Sequence, residues 1–86
     1  MIKVGIVEDN VSLLKNLNIF LGNFPDIKIV FSYTDFAEFE QARRREKSLT
    51  PDIVLIDYNE NSLKQQISIL SRFLEIYPSV KVLVYT

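Results

Sequence analysis

Four short apolar runs alternate along the chain with segments in which apolar residues recur every three or four positions. The apolar runs cover residues 2–7, 27–33, 53–57 and 80–85. Apolar runs of this length, bounded by turn-forming residues, predict β-strands. The segments between them carry the periodicity of amphipathic helices. The chain is therefore predicted to fold in the order β-α-β-α-β-α-β.

The first predicted helix has the clearest boundaries. Asp9 or Asn10 can cap its beginning, and Gly22 followed by Pro25 marks its end. Its apolar stripe is formed by Val11, Leu14, Leu17, Leu21 and Phe24, and it is widened by Leu13 and Phe20.

The other two helices are predicted from the same signals. Thr34 or Asp35 can cap the second helix, and Ser62 can cap the third, which ends before Pro78. The residues predicted to face inward are Phe36, Phe39 and Ala42 in the second helix, and Leu63, Ile67, Leu70, Leu74 and Tyr77 in the third.

The composition of the strands predicts how they pair. The first, third and fourth strands are apolar at nearly every position, which is typical of a parallel sheet covered by helices on both faces. The fold class is therefore α/β, with a doubly wound parallel sheet in one domain that spans residues 1–86. The expected strand order is 2-1-3-4, in which strands 1 and 3 flank the point where the order reverses. Ligands of such sheets bind at that point, beyond the carboxyl ends of the strands.

Composition excludes several classes of chemistry. The 86 residues include no Cys and no His, which excludes disulfides, thiolate or histidine metal sites and histidine acid–base catalysis. The net charge of −1 gives no indication of nucleic acid or an anionic membrane as a partner. Because no apolar run reaches the roughly 20 residues that cross a bilayer, no membrane association is expected, and the expected location is the cytoplasm.

Acidic residues collect at the predicted carboxyl ends of the strands. Glu8 and Asp9 follow strand 1, Asp57 ends strand 3, and the hydroxyl of Thr86 follows strand 4. Two carboxylates about 4 Å apart repel each other by about 4 kcal/mol at an effective dielectric of about 20, and a bound cation relieves this repulsion. An all-oxygen site suits Mg²⁺. A carboxylate beside such a cation can serve as a nucleophile toward phosphorus, and a neighbouring hydroxyl can donate to a phosphoryl oxygen.

Three segments carry a resemblance to a known family. GIVEDN (5–10), PDIVLIDYN (51–59) and VLVYT (82–86) resemble the corresponding motifs of the receiver domain of two-component response regulators. The resemblance covers the whole chain and implies the flavodoxin-like receiver fold. It also implies that a sensor histidine kinase passes a phosphoryl group to this domain, which catalyses its own phosphorylation and dephosphorylation with Mg²⁺ and acts as a signalling switch.

The resemblance implies a role for each matching residue. Asp57 corresponds to the phosphoacceptor and also to a metal ligand. Asp9 corresponds to the direct metal ligand, with Glu8 as its partner, often through water. Asn59 corresponds to the residue whose backbone carbonyl binds the metal. Thr86 corresponds to the switch hydroxyl that moves toward the phosphoryl group.

The chain also departs from the family pattern. Residues 58–62 contain neither the usual Pro nor the usual Gly, and Glu60 adds negative charge. The last helix-strand-helix of the family, including a Lys that pairs with the phosphoryl group, is absent after Thr86. We therefore expect an incomplete receiver whose apolar fourth strand is exposed at the sheet edge and can pair in a homodimer or a swapped dimer. The pattern at the start of the chain and the segment PDIKIV resemble receivers that precede a DNA-binding output domain, which is not in this chain.

Other interpretations of these residues remain open at the level of sequence. Taken singly, Asp9 is a helix cap, Glu8 a solvated acid or an acid that stabilises the helix dipole, and Asp57 or Asn59 a turn residue. Thr86 is an ordinary strand residue. The domain as a whole can be a pseudo-receiver, an interaction module that is not phosphorylated. A nucleotide-binding domain is disfavoured, because the turn after strand 1 has no Gly to admit phosphates.

Overall fold

The chain alternates strands and helices as the sequence predicts. The structure, a computed structural model, describes residues 1–45, 50–57 and 63–84. The elements are β1 (Ile2–Glu8), α1 (Val11–Gly22), β2 (Ile27–Tyr33), α2 (Phe36–Arg45), β3 (Ile53–Asp57), α3 (Leu63–Ile76) and β4 (Lys81–Val84). Strand β1 is one residue longer than predicted, so that Glu8 is its last residue.

All four strands pair in parallel in one sheet. Their order is β2-β1-β3-β4, which confirms the predicted order and is consistent with a flavodoxin-like fold. The chain passes from β1 to β2 on one side and then returns to place β3 on the other side of β1. The reversal point therefore lies between β1 and β3, and β4 is an edge strand as predicted.

The first two helices each have an N-cap residue whose side-chain oxygen accepts a hydrogen bond from the first turn. Asn10 caps α1, because its Oδ1 accepts a hydrogen bond from the backbone N–H of Leu13 at 3.0 Å. Asp35 has the same role at α2, where its Oδ1 accepts from the N–H of Ala37 at 2.8 Å. For each of these helices the sequence predicts two possible caps. The second of the two, Asn10 in α1 and Asp35 in α2, is the cap in the structure. The predicted cap of α3, Ser62, lies outside the described residues.

Helices cover both faces of the sheet. Helix α1 packs on one face, where Leu14 joins Val4 and Ile6 in a buried cluster. Helices α2 and α3 pack on the other face, where Phe39 and Phe73 are the largest buried side chains. Among the described residues, no helix is long and apolar enough to cross a membrane.

Two of the predicted apolar faces differ from the faces that are buried. In α1 only the centre of the stripe packs on the sheet, and Val11, Phe20 and Phe24 are 44–68% exposed. In the third helix the predicted face was wrong at Ile67 and Leu74, which are exposed, and correct at Tyr77, which packs against the core. Helix α3 instead buries Ile69 and Phe73, and partly buries Ile76, against the sheet. Both faces of α3 are apolar, and the buried one carries the ring of Phe73, which adds aromatic contacts to Phe31, Phe36 and Phe39.

A glycine in β1 makes room for an aromatic ring. A Cβ atom on Gly5 would lie 2.1 Å from Cζ of Phe31. The Phe31 ring therefore crosses directly over β1, and it packs against Phe39 with their ring centroids 4.7 Å apart. This agrees with the general role of a strand glycine where another group approaches closely.

Candidate functional site

The carboxyl ends of β1 and β3 bring two acidic residues side by side. Glu8 and Asp57, the last residues of these strands, are direct partners in the parallel register. Neighbouring strands lie about 4.8 Å apart, and this pair lies at the point where the strand order reverses. The fold thus gives the arrangement that the sequence predicts for these two residues at the level of the backbone. The side chain of Asp57 lies outside the described part of the chain.

Glu8 is buried rather than solvated. Its exposed fraction is 0%, and it is the only charged or polar residue among the buried residues that the structure describes. Its carboxylate oxygen Oε2 accepts a hydrogen bond from the backbone N–H of Asn10 at 3.0 Å. Burying a carboxylate costs free energy unless the protein supplies donors or cations to it. The interpretation of Glu8 as a solvated acid is therefore wrong, and its position is one at which a charge interacts strongly with its neighbours.

Asp9 lies between the buried Glu8 and the helix cap. Because Asn10 caps α1, the interpretation of Asp9 as the cap is wrong. Asp9 is half-buried, and its carboxyl group is not the side chain that caps the helix.

Asn59 and Thr86 lie outside the described residues, so their roles stay predictions. The same holds for the carboxyl group of Asp57, although its backbone is described at the end of β3.

The acidic residues at this edge fit a hard divalent cation by their chemistry. All of the candidate side-chain ligands are carboxylates, which are donors that Mg²⁺ prefers. Among the side chains that the structure describes, no group of three or more Asp, Glu, His or Cys residues is arranged to hold a metal ion. That description includes Glu8 and Asp9 but does not extend to the carboxyl group of Asp57. The fit therefore depends on the donor chemistry and on the register of Glu8 with Asp57.

Groups of α2 and of the segment after α3 have shifted pKa values. A hydrogen bond from Arg72 of α3 lowers the pKa of Glu40 in α2, and the charge of Arg43 adds to this effect. The Arg72 Nε lies 2.8 Å from Oε2 of Glu40, which joins the two helices on one face of the sheet. Burial raises the pKa of the Tyr77 phenol, which follows α3. These shifts concern the stability of the fold.

Sequence reasoning missed one contact at this edge, the hydrogen bond from the Asn10 backbone N–H to Glu8. The available signal was the spacing: a residue that caps a helix and an acid two positions before it are close enough for such a bond. The sequence left the cap open between Asp9 and Asn10, and so this contact did not follow from it.

Comparison with known proteins does not identify the chain. No family model matches it, and a search of curated proteins found no match.

Proposed function

We propose that the chain is a receiver domain that accepts a phosphoryl group on Asp57 in a Mg²⁺-dependent reaction. The observation that carries this proposal is the register of Glu8 with Asp57 at the reversal point of a parallel sheet. The full burial of Glu8 supports it. Glu8 of the motif GIVEDN and Asp57 of the motif PDIVLIDYN are thus neighbours at the edge where an α/β sheet binds its ligands.

The proposed reaction is a phosphoryl transfer to a carboxylate. A carboxylate oxygen of Asp57 attacks the phosphorus of a phosphohistidine on a sensor histidine kinase. The new P–O bond forms as the P–N bond breaks, and the imidazole nitrogen leaves with the electron pair and takes up a proton. Hydrolysis of the acyl phosphate by water then returns the Asp57 carboxylate and releases inorganic phosphate.

The acidic residues at this edge are proposed to hold the metal. Asp9 and Asp57 would bind Mg²⁺ directly, together with the backbone carbonyl of Asn59, and Glu8 would act through water. When bound, Mg²⁺ offsets the repulsion between the carboxylates and the entering phosphoryl group. The burial of Glu8 strengthens its electrostatic interactions, because the effective dielectric is lower inside the protein than in water.

The proposed consequence of the transfer is a change of conformation. The acyl phosphate carries a charge of about −1.5 to −2, which replaces the single negative charge of the Asp57 carboxylate. The Thr86 hydroxyl would donate to a phosphoryl oxygen and so shift a two-state equilibrium of the domain. A DNA-binding output domain is the downstream partner that the resemblance suggests.

The test is a phosphorylation assay with a small-molecule donor. We would incubate the chain with acetyl phosphate, with and without Mg²⁺, and measure the intact mass. The expected result is a phosphoryl adduct that requires Mg²⁺ and disappears in Asp57→Asn. The matched control is Asp35→Asn, which makes the same chemical change at a capping aspartate, and Asn is also a good cap. This control should be phosphorylated like the wild-type chain.

The absence of an adduct from a folded chain that binds Mg²⁺ would contradict the proposal. That result would favour the pseudo-receiver, for which the sequence of residues 58–62 provides the specific observation: it lacks Gly and Pro, and Glu60 adds an acid three positions after the acceptor. A pseudo-receiver would fold and bind its partner without any response to phosphoryl donors.

A further inference from the structure

Asn10 connects the first turn of α1 to the buried carboxylate of Glu8. Its backbone is extended, with φ −87° and ψ 111°. Its side chain accepts from the N–H of Leu13 at 3.0 Å, and its carbonyl accepts from the N–H of Leu14 at 2.9 Å. Its own N–H donates to Oε2 of Glu8 at 3.0 Å. One residue therefore makes hydrogen bonds to the helix on one side and to the acidic edge on the other.

We propose that Asn10 is a positioning residue, whose cap on α1 fixes the orientation of the Glu8 carboxylate for cation binding. This inference rests on the proposed function, because it assigns Asn10 a role at the same Mg²⁺ site. The loss of a group that orients the ligands of a metal typically weakens metal binding about 10–100-fold. Because Glu8 is proposed to act through water, the low end of this range applies to Asn10. Asn10 itself does not touch the metal or the phosphoryl group in this proposal.

The side chain of Asn10 matters although its backbone N–H makes the bond to Glu8. The direction of that N–H depends on the peptide plane, and the side-chain bond to Leu13 holds the residue in the extended conformation of a cap. Without the side-chain acceptor, the first turn of α1 has one more unsatisfied N–H group. The peptide plane at Asn10 then samples other directions, and the Glu8 carboxylate loses a fixed donor.

The substitutions follow from this geometry. Asn10→Ala removes the side-chain acceptor, whereas Asn10→Ser keeps an oxygen that can accept the same bond. The matched control is Asp35→Ala. It removes the equivalent bond, from the N–H of Ala37, at the beginning of α2, and it leaves Glu8 untouched. Asn10→Ala and Asp35→Ala each delete one helix cap, and only the first affects the acidic edge.

The experiment titrates each folded chain with Mg²⁺ alone and measures the dissociation constant from the chemical shifts of backbone amides. We expect Asn10→Ala to bind Mg²⁺ about tenfold more weakly than the wild-type chain. Asn10→Ser and Asp35→Ala should stay within about twofold of the wild-type value. Circular dichroism at the titration temperature establishes that every variant is folded.

Several results would overturn the inference. Equal affinity of Asn10→Ala and the wild-type chain would remove the positioning role, while the proposed function would stand on the wild-type titration. Equal weakening in Asn10→Ala and Asn10→Ser would show that the cap is not the cause. Equal weakening in Asp35→Ala would assign the effect to a general loss of stability. A wild-type chain that binds no Mg²⁺ would remove the inference together with the metal-dependent function.

Discussion

The close approach of Phe31 to β1 makes Gly5→Ala a sharp test of the packing that supports the acidic edge. The added Cβ would lie 2.1 Å from Cζ of Phe31, and 2.4 and 2.6 Å from its two Cε atoms. The ring would have to withdraw by about 1.4 Å to restore an ordinary carbon–carbon separation of about 3.5 Å. Its neighbours oppose this movement: the Phe39 ring centroid is 4.7 Å away, and the Phe73 ring is stacked at 6.3 Å. Phe39 and Phe73 are almost completely buried, so the added methyl group overpacks the core.

Overpacking of a close-packed core typically costs about 1–3 kcal/mol. We expect Gly5→Ala to reach about 3 kcal/mol, because the clash involves a whole ring tip that its neighbours hold in place. Small domains have a free energy of unfolding of about 5–15 kcal/mol, so this loss is a large part of the total. The assay is urea unfolding followed by circular dichroism. The midpoint should fall by about 1 M or more at an unchanged slope of about 1–3 kcal/mol per M.

The other glycine provides the matched control. A Cβ on Gly22, the last residue of α1, would have no atom within 4 Å. Since Ala is preferred to Gly in helices, Gly22→Ala should leave the stability unchanged or raise it by up to about 1 kcal/mol. In a Phe31→Leu background, Gly5→Ala should cost about 1–3 kcal/mol less than in the wild-type chain, because a shorter side chain relieves the clash. A Gly5→Ala chain within about 0.5 kcal/mol of the wild-type stability would refute this account of the packing.

Two further predictions concern the pH dependence of stability. The lowered pKa of Glu40 means that its bond to Arg72 stabilises the fold fully above the ordinary glutamate pKa, and that this contribution is lost as the pH falls through the lowered value. The melting temperature of Arg72→Gln should therefore decrease less than that of the wild-type chain as the pH is lowered. An equal decrease in both chains would contradict the prediction. Burial raises the pKa of Tyr77, so ionisation of this phenol favours the unfolded chain as the pH rises above the ordinary tyrosine value. Tyr77→Phe should reduce the loss of melting temperature in alkali, and a curve that matches the wild-type curve would count against it.

Much of the fold could be predicted because the local apolar pattern of the strands agrees with their burial in the sheet. The runs that became β1 and β3 are apolar on both faces, and a buried parallel strand requires that pattern. Given parallel strands in the order 2-1-3-4, the meeting of Glu8 and Asp57 follows from geometry alone.

The choice of buried helix face could not be predicted in the same way. Helix α3 has two apolar faces, and periodicity gives no preference between them. The face with Phe73 is buried because its ring meets Phe31 and Phe39, which lie far from it in sequence. Tertiary contacts of this kind cannot be predicted from the periodicity of apolar residues within one helix.

The burial of Glu8 was also beyond sequence reasoning. It depends on β1 continuing to residue 8 and on Asn10 beginning α1. Asp9 and Asn10 are about equally good caps, so the sequence does not determine which of them caps α1. The structure assigns the cap to Asn10.

The most direct test of the central claim is to locate the phosphoryl group within the chain. After incubation with acetyl phosphate and Mg²⁺, borohydride reduces an aspartyl phosphate to homoserine, and peptide mass spectrometry then identifies the modified residue. Trypsin should release residues 48–64 as one peptide, which contains both Asp52 and Asp57. Asp52 serves as an internal control, because it lies at the opposite end of the sheet, where its Oδ2 accepts from the N–H of Lys3 at 2.8 Å. The account predicts homoserine at position 57 only, and only with Mg²⁺; an unmodified Asp57, or modification at Asp52, would contradict it.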